Sequence, residues 1–245
     1  MKREIIAGIN AVDGLLDTAP ESICRVWLNP SSKRLVELQS RLTSCGIAVE
    51  ECDARALDRR SQGVRHQGVV AEFKPRSPLG EADLEELLST ADLPLVLVLD
   101  GIHDPHNLGA CMRSAAAAGA LAVVVPKDRA VGLTPVARRA SAGASERVPL
   151  VVVTNLARCL RGLQDRGLWR VGLAGEAEGS LYQAHLDGPL ALVLGGEERG
   201  LRRLTRENCD QLVRIPMPGS TESLNVSVSA GIALFEALRI RGVDA

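Results

Sequence analysis

The chain has 245 residues, 46% hydrophobic, 24% charged and 2% aromatic, a composition that excludes general disorder and suffices for one large core or two modest ones. Its formal net charge of −1 gives no global basic field, which excludes a protein that simply coats nucleic-acid phosphates while leaving room for a local patch. No apolar run approaches the roughly 20 residues of a membrane span, and the amino-terminal MKREIIAGINAVDG lacks the apolar stretch and small-residue cleavage site of a secretory signal, so no membrane association and a cytoplasmic location are expected.

In chain order, short β-like runs come first, CRVWL around Val26, GIAVE around Val49 and GVVAEF around Val69. They alternate with helical patterns such as SSKRLVELQSRL, which sets Leu35, Leu38 and Leu42 on one face. This reads as a small α/β unit over residues 1–75. Residues 76–92, RSPLGEADLEELLSTAD, hold 1 basic against 5 acidic residues and bring Pro75, Pro78 and Gly80 together; they read as a linker running into a short helix. Residues 93–245 then carry PLVLVLD, ALAVVVP, VPLVVV, WRVGLA, PLALVLG and QLVRIP. Uniformly apolar strands separated by helices or loops indicate a parallel sheet covered on both faces.

Six scattered cysteines without a C-x-x-C pair and four histidines without zinc-ligand spacing signal neither a disulfide framework nor a metal site. G-x-S-x-G, P-loop and H-E-x-x-H motifs are absent, which removes hydrolase, P-loop and zincin readings. The missing G-x-G-x-x-G disfavours a Rossmann-type oxidoreductase.

An open parallel sheet binds ligands beyond the carboxyl ends of its strands, and three such segments stand out. In DGIHDPHNLGACMRSAAAAGA, Asn107 can cap a helix on which Arg113 projects over Gly109, Ala116 and Ala117; a guanidinium over small residues can meet a phosphate or carboxylate. In LVLGGEERGL, Gly195 and Gly196 allow close approach to the backbone, and Glu197 can partner Arg113 or cap the next helix. In RIPMPGSTESLNVSVSAGIALFEALR, two prolines enforce an extended loop crowded with Ser223, Asn225 and other polar residues. Its S-L-N-V-S-V-S stretch fits a strand or the start of a helix equally well. In the first unit, Arg59, Arg60, Arg65 and His66 form the best RNA-facing cluster, with His66 a candidate for stacking on a base and an ordinary solvated loop the alternative.

In this order the three segments resemble the three motifs of the SpoU/TrmH branch of the SPOUT methyltransferases, with GINAVDGLL, HQGVVAEFKP and AGEAEGSLYQ extending the likeness over the whole chain. The resemblance implies an L30e-like substrate-binding domain at 1–75, the linker, and an α/β-knot catalytic domain with a deep trefoil knot at 93–245. It also implies a homodimer with the active site near the subunit interface. The implied activity is S-adenosylmethionine-dependent methylation of a ribose 2′-OH, with a guanosine of 23S ribosomal RNA as the expected target; tRNA, or an inactive knot that only binds RNA, are the alternatives. Asn107 and Arg113 match motif one, Glu197 motif two, and Ser223 and Asn225 motif three. Gly195, Ile215 and Leu224 fall where the family holds the cofactor, while Gly196 and Arg199 depart from its pattern.

Overall fold

A computed structural model describes residues 3–61, 63–75, 77–197, 199–221 and 223–242. The first sheet is built from β1 (Glu4–Ala7), β2 (Ile23–Leu28), β3 (Val49–Glu51) and β4 (Val69–Phe73), in the order β1-β4-β2-β3. β4 runs antiparallel to both of its neighbours, whereas β2 and β3 are parallel. Three helices accompany the sheet, α1 (Ile9–Thr18), α2 (Lys33–Ser44) and α3 (Ala54–Arg60). Ser32 caps α2 by accepting from the Leu35 N–H, and the predicted stripe of Leu35, Leu38 and Leu42 is buried with Leu15, Leu28 and Phe73.

The segment read as a linker is docked rather than free. Leu79 donates its N–H to the Leu150 carbonyl at 2.9 Å and accepts from the Val152 N–H at 2.8 Å, after which α4 (Glu81–Ser89) buries Leu84 and Leu88.

The second sheet contains β5 (Leu95–Asp100), β6 (Ala122–Pro126), β7 (Leu150–Val153), β8 (Trp169–Leu173), β9 (Gly179–Ser180), β10 (Leu190–Gly195) and β11 (Gln211–Arg214). Their order is β7-β6-β5-β10-β8-β11-β9 and every pairing is parallel. Around them lie α5 (Pro105–Ala117), α6 (Pro135–Ala140), α7 (Leu156–Asp165), α8 (Arg203–Glu207) and α9 (Val226–Ile240). The six apolar runs are these strands, and their uniformity has a simple cause. Leu95, Leu97 and Leu99 join one core with Met112 of α5 and Leu234 of α9, while Val96 and Val98 join another with Leu160 of α7. Both faces are covered, so neither set of alternating side chains can be polar.

β5 pairs with β6 on one side and with β10 on the other. The chain therefore leaves the two central strands in opposite directions, opening a crevice at their carboxyl ends.

Candidate functional site

The loops that follow β5 and β10 are fastened together by one carboxylate. Asp100, with its side chain fully buried, accepts from the Arg202 N–H at 3.0 Å and from Arg202 Nε at 2.5 Å. The Gly196 N–H donates to the Asp100 carbonyl at 3.0 Å. Residues 196–197 and 199–202 thus fold back over the end of β10. A Cβ at Gly195 would sit 1.9 Å from the carbonyl carbon of Gly200, so glycine is required by this return of the backbone and not, as a ligand-crevice argument suggests, by a bound molecule alone.

Beside that loop is a cavity of about 510 Å³, within the usual range of small-molecule sites. Gly195, Glu197, Ile215, Ser223, Leu224 and Asn225 all line it, so six of the residues singled out, from two of the three segments, converge there. Glu176 and Arg206, which the sequence did not single out, form an ion pair at its wall. The hydrogen bond from Arg206, more than any other influence, holds the Glu176 carboxyl below its ordinary value.

At the rim, three side chains form a directed chain. Asn225 caps α9, its Oδ1 accepting from the Ser227 N–H at 2.8 Å and from Ser227 Oγ at 2.6 Å. This leaves its Nδ2 to donate to Asn107 Oδ1 at 3.0 Å. Asn107 Nδ2 in turn donates to Glu197. The ambiguous S-L-N-V-S-V-S stretch is therefore a helix from Val226 onward, because Asn225 satisfies its free amino-terminal N–H groups.

Three expectations are corrected here. Asn107 is not the cap of α5; Asp104 is, accepting from the His106 N–H at 2.9 Å with Pro105 at the first helical position, and this frees the Asn107 amide for Glu197 and Asn225. Glu197 neither partners Arg113 nor caps a helix, since it accepts from Asn107. The small-residue surface over which Arg113 was expected to project is covered at Gly109, where a Cβ would lie 2.5 Å from both the Ala137 carbonyl oxygen and Ala140 Cβ; the glycine exists so that α5 and α6 can touch. Arg113 itself is exposed and bonds to no described residue. Beneath the rim, burial pushes the Cys111 thiol up to about 12, with the Glu197 charge adding to the effect.

In the first unit the basic cluster is only partly free. Arg60 lies 4.9 Å from the centre of the Trp27 ring and 3.6 Å from Glu50. His66 uses both ring nitrogens, Nε2 with Asp58 at 3.1 Å and Nδ1 as acceptor for the Gly68 N–H at 3.0 Å, so it shapes the loop before β4, and with its side chain only 16% exposed it presents little face for stacking. Arg59 and Arg65 are exposed and bond to no described residue.

The profile of the SpoU rRNA Methylase family matches residues 94–235, the stretch holding all three rim residues and the cavity. The chain belongs to the SpoU rRNA methylase family. Residues 5–79 match a second family, described as RNA 2′-O ribose methyltransferase substrate binding. Among relatives similar to this SpoU chain, a protein of Shewanella oneidensis named 23S rRNA (guanosine-2′-O-)-methyltransferase RlmB is 52% identical over 242 residues, covering 98% of each chain. One of the same name from Pseudomonas putida is 53% identical over 243 residues, again covering 98% of each. In fold, the chain is similar to the SpoU methyltransferase AviRb from Streptomyces viridochromogenes, with a TM-score of 0.77, 24% identity, and coverage of 99% of this chain and 92% of that one.

Proposed function

We propose that this protein transfers a methyl group from S-adenosylmethionine to a ribose 2′-OH of RNA, a guanosine of 23S ribosomal RNA, in the cytoplasm. The observation that carries the reading is the Asn225–Asn107–Glu197 chain at the mouth of a cavity that Gly195 lines. The names borne by relatives 52% and 53% identical over nearly the full length support the substrate.

The cavity fits the cofactor. Apolar walls from Leu173, Val213, Ile215 and Leu224 suit a nucleoside, and the Glu197 carboxylate at its edge suits a cationic neighbour. When bound, the cofactor supplies an electrophilic methyl group on a sulfonium. Gly195, Ile215 and Leu224 would hold it, and Ser223 with Asn225 would shape the mouth through which the ribose approaches. Positioning is the larger part of what such a site contributes to an in-line transfer. Asn107 orients Glu197 and is itself oriented by Asn225, so the carboxylate's rotamer freedom is reduced. Arg113 acts as a donor to the ribose oxygen or its adjacent phosphate, because a guanidinium has five donors and no acceptor and so stabilises developing negative charge rather than removing a proton.

A homodimer is part of the proposal. Val228 and Phe235, seven residues apart on one face of α9, are 49% and 52% exposed, an apolar stripe that a second copy would cover. So is a trefoil knot, supported by the insertion of β10 between β5 and β8 and the packing of α9 against α5.

The test is methyl transfer from labelled cofactor to 23S ribosomal RNA, with the ribose-methylated position mapped. Incorporation at one guanosine 2′-oxygen is expected. Incorporation on a base, or only into tRNA, would overturn the reading.

A further inference from the structure

Most of the lysines and arginines beyond residue 92 are occupied. Arg138, Arg147, Arg158, Arg166, Arg170, Arg202, Arg203, Arg206 and Arg239 are ion-paired, and Arg161, Arg214 and Arg241 donate to an amide or to carbonyls. Among the described residues, those bonding to nothing are Arg113, Arg199, Lys127, Arg129 and Arg139. Arg199 lines the cavity, and Arg113 has its role in the proposed transfer. Of the other three, Lys127 and Arg129 are exposed in the segment joining β6 to α6 and Arg139 is exposed on α6 itself, and the mechanism makes no use of them.

The segment's place is telling. At one end it lies against the catalytic loops, where the Val131 N–H donates to the Ile102 carbonyl at 2.8 Å and the Arg129 carbonyl is 3.6 Å from the position of a Cβ on Gly101. At the other end it meets the first unit. Arg138 reaches Glu4 of β1 at 3.3 Å, and Gly143, just past α6, abuts the backbone of Asn10 and Ala11. Ile9 donates its N–H to Gln67, two residues from the unpaired Arg65. Unpaired cations therefore stand on the elements between the first unit and the catalytic loops, Arg65 before β4, Arg139 on α6 and Arg129 beside Gly101, with Lys127 at the outer side, where its N–H donates to the Val153 carbonyl at 2.8 Å.

Backbone conformation marks the same path. The described non-glycine residues with positive φ are Gln67 at 51°, Arg129 at 60° and Ala142 at 51°, and all three lie on it. The left-handed region costs a residue with a Cβ about 1 kcal/mol or more, and such strain concentrates where function requires a fixed geometry. At Arg129 it presents a cation that makes no compensating bond.

We propose that Lys127, Arg129 and Arg139 form a phosphate-binding track that carries substrate RNA from the first unit to Arg113. The inference rests on the RNA-methyltransferase reading and adds a binding site on the catalytic unit itself. Free guanidinium and ammonium groups on one side of the catalytic unit suit phosphates, which position the RNA without reading its sequence. Asp128, the acid within the loop, opposes this attraction and spaces the two cations on either side of it.

The experiment uses the full chain and a 23S ribosomal RNA transcript. Affinity is measured across salt concentrations for the wild type and for Lys127→Gln, Arg129→Asn and Arg139→Gln combined. Asparagine tolerates the left-handed conformation, so the fold is retained. Each lost phosphate contact lowers the slope of log affinity against log salt by roughly 0.7–0.9. A slope shallower by about 2–3, affinity at least about tenfold weaker near physiological salt, and unchanged S-adenosylmethionine affinity are expected. Arg129→Lys alone should retain most of the slope. A slope equal to that of the wild type overturns the track, and so does a changed oligomeric mass, which would make the segment a contact between copies. If the wild-type protein neither binds nor methylates the RNA, the functional reading itself fails, a result distinguishable from either.

Discussion

The two sheets manage charge in opposite ways. Around the four-stranded sheet, ion pairs lie at the surface, with Arg41 reaching Asp13 and Asp17 from α2 to α1 while remaining about half exposed. In the seven-stranded sheet the decisive pairs are inside. Asp100 with Arg202 sits at the carboxyl edge, and Arg170, only 4% exposed, grips Asp210 at the amino edge. Surface pairs typically contribute 0–1 kcal/mol, whereas removing one partner of a buried pair costs about 3–5 kcal/mol. The first unit could lose its charges and keep its shape; the second has used them to fasten loops that local sequence does not hold.

The largest expected effect comes from the fold-back that Asp100 anchors. Gly195→Ala places a methyl group 1.9 Å from the Gly200 carbonyl carbon, so the loop after β10 must be expelled, at more than about 4 kcal/mol locally. S-adenosylmethionine affinity, read by calorimetry, should fall by two orders of magnitude or more. An alanine variant with native affinity would show that the loop is not closed over β10.

Next is the amino edge. Arg170 donates from Nε and Nη2 to Asp210 at 2.8 and 2.6 Å, and Arg170→Met should cost about 3–5 kcal/mol in urea unfolding. Pairing it with Asp210→Leu should recover much of that loss. The hydrogen bond from Arg170 is the main cause that holds Asp210 below its ordinary carboxyl value. A carboxyl depressed in the folded state contributes stability above its unfolded value near 3.9 and loses it as pH falls through the folded value. The stability difference between wild type and Asp210→Asn should therefore be flat from pH 7 to 5 and shrink below about pH 4. A difference that already changes between pH 7 and 5 would implicate another group.

Smaller still is the loss at the rim. Asn107→Ala removes the bonds to both Glu197 and Asn225 at an incompletely buried position, so stability should change by no more than about 1 kcal/mol. Methyl transfer should nonetheless slow about 100-fold, equivalent to about 2.7 kcal/mol of barrier, with cofactor affinity within a few-fold. Equal losses in cofactor affinity and turnover would place Asn107 in binding instead of positioning.

The contrast between the units also explains what was legible in the sequence. Strands β5, β6, β7, β8, β10 and β11 were readable because double-sided burial leaves an unbroken apolar run, and α2 because Ser32 and its leucine stripe obey local rules. The convergence of Asn107, Glu197 and Asn225 was accessible through family likeness, not through spacing, since the bonded pairs stand 90 and 118 residues apart. Roles within the site were less legible. Asn107 looked like a cap although Pro105, favoured at the first helical position, pointed to Asp104, and the Asp100–Arg202 clamp showed only as an acid ending an apolar strand. Gly109 could not be read as a packing residue without knowing that α6 lies on it.

The smallest effect separates two arginines that the sequence placed in one RNA-facing cluster. Arg60 lies over Trp27, whose Nε1 donates to Glu50 at 3.0 Å, and Arg60 also approaches Glu50; it is a packing residue of the first sheet as well as a charge. An exposed cation over an aromatic ring is worth about 0.5–1 kcal/mol, so Arg60→Ala should lower unfolding free energy by that amount. Arg65 bonds to no described residue, so Arg65→Ala should leave stability within about 0.5 kcal/mol. In RNA binding the order reverses. Arg65→Ala should make the salt slope shallower by roughly 0.7–0.9, and Arg60→Ala by less, because its charge is already shared with Glu50. Equal slopes for the two variants would mean that Trp27 and Glu50 release Arg60 to the RNA, making the first sheet's pairing a resting arrangement.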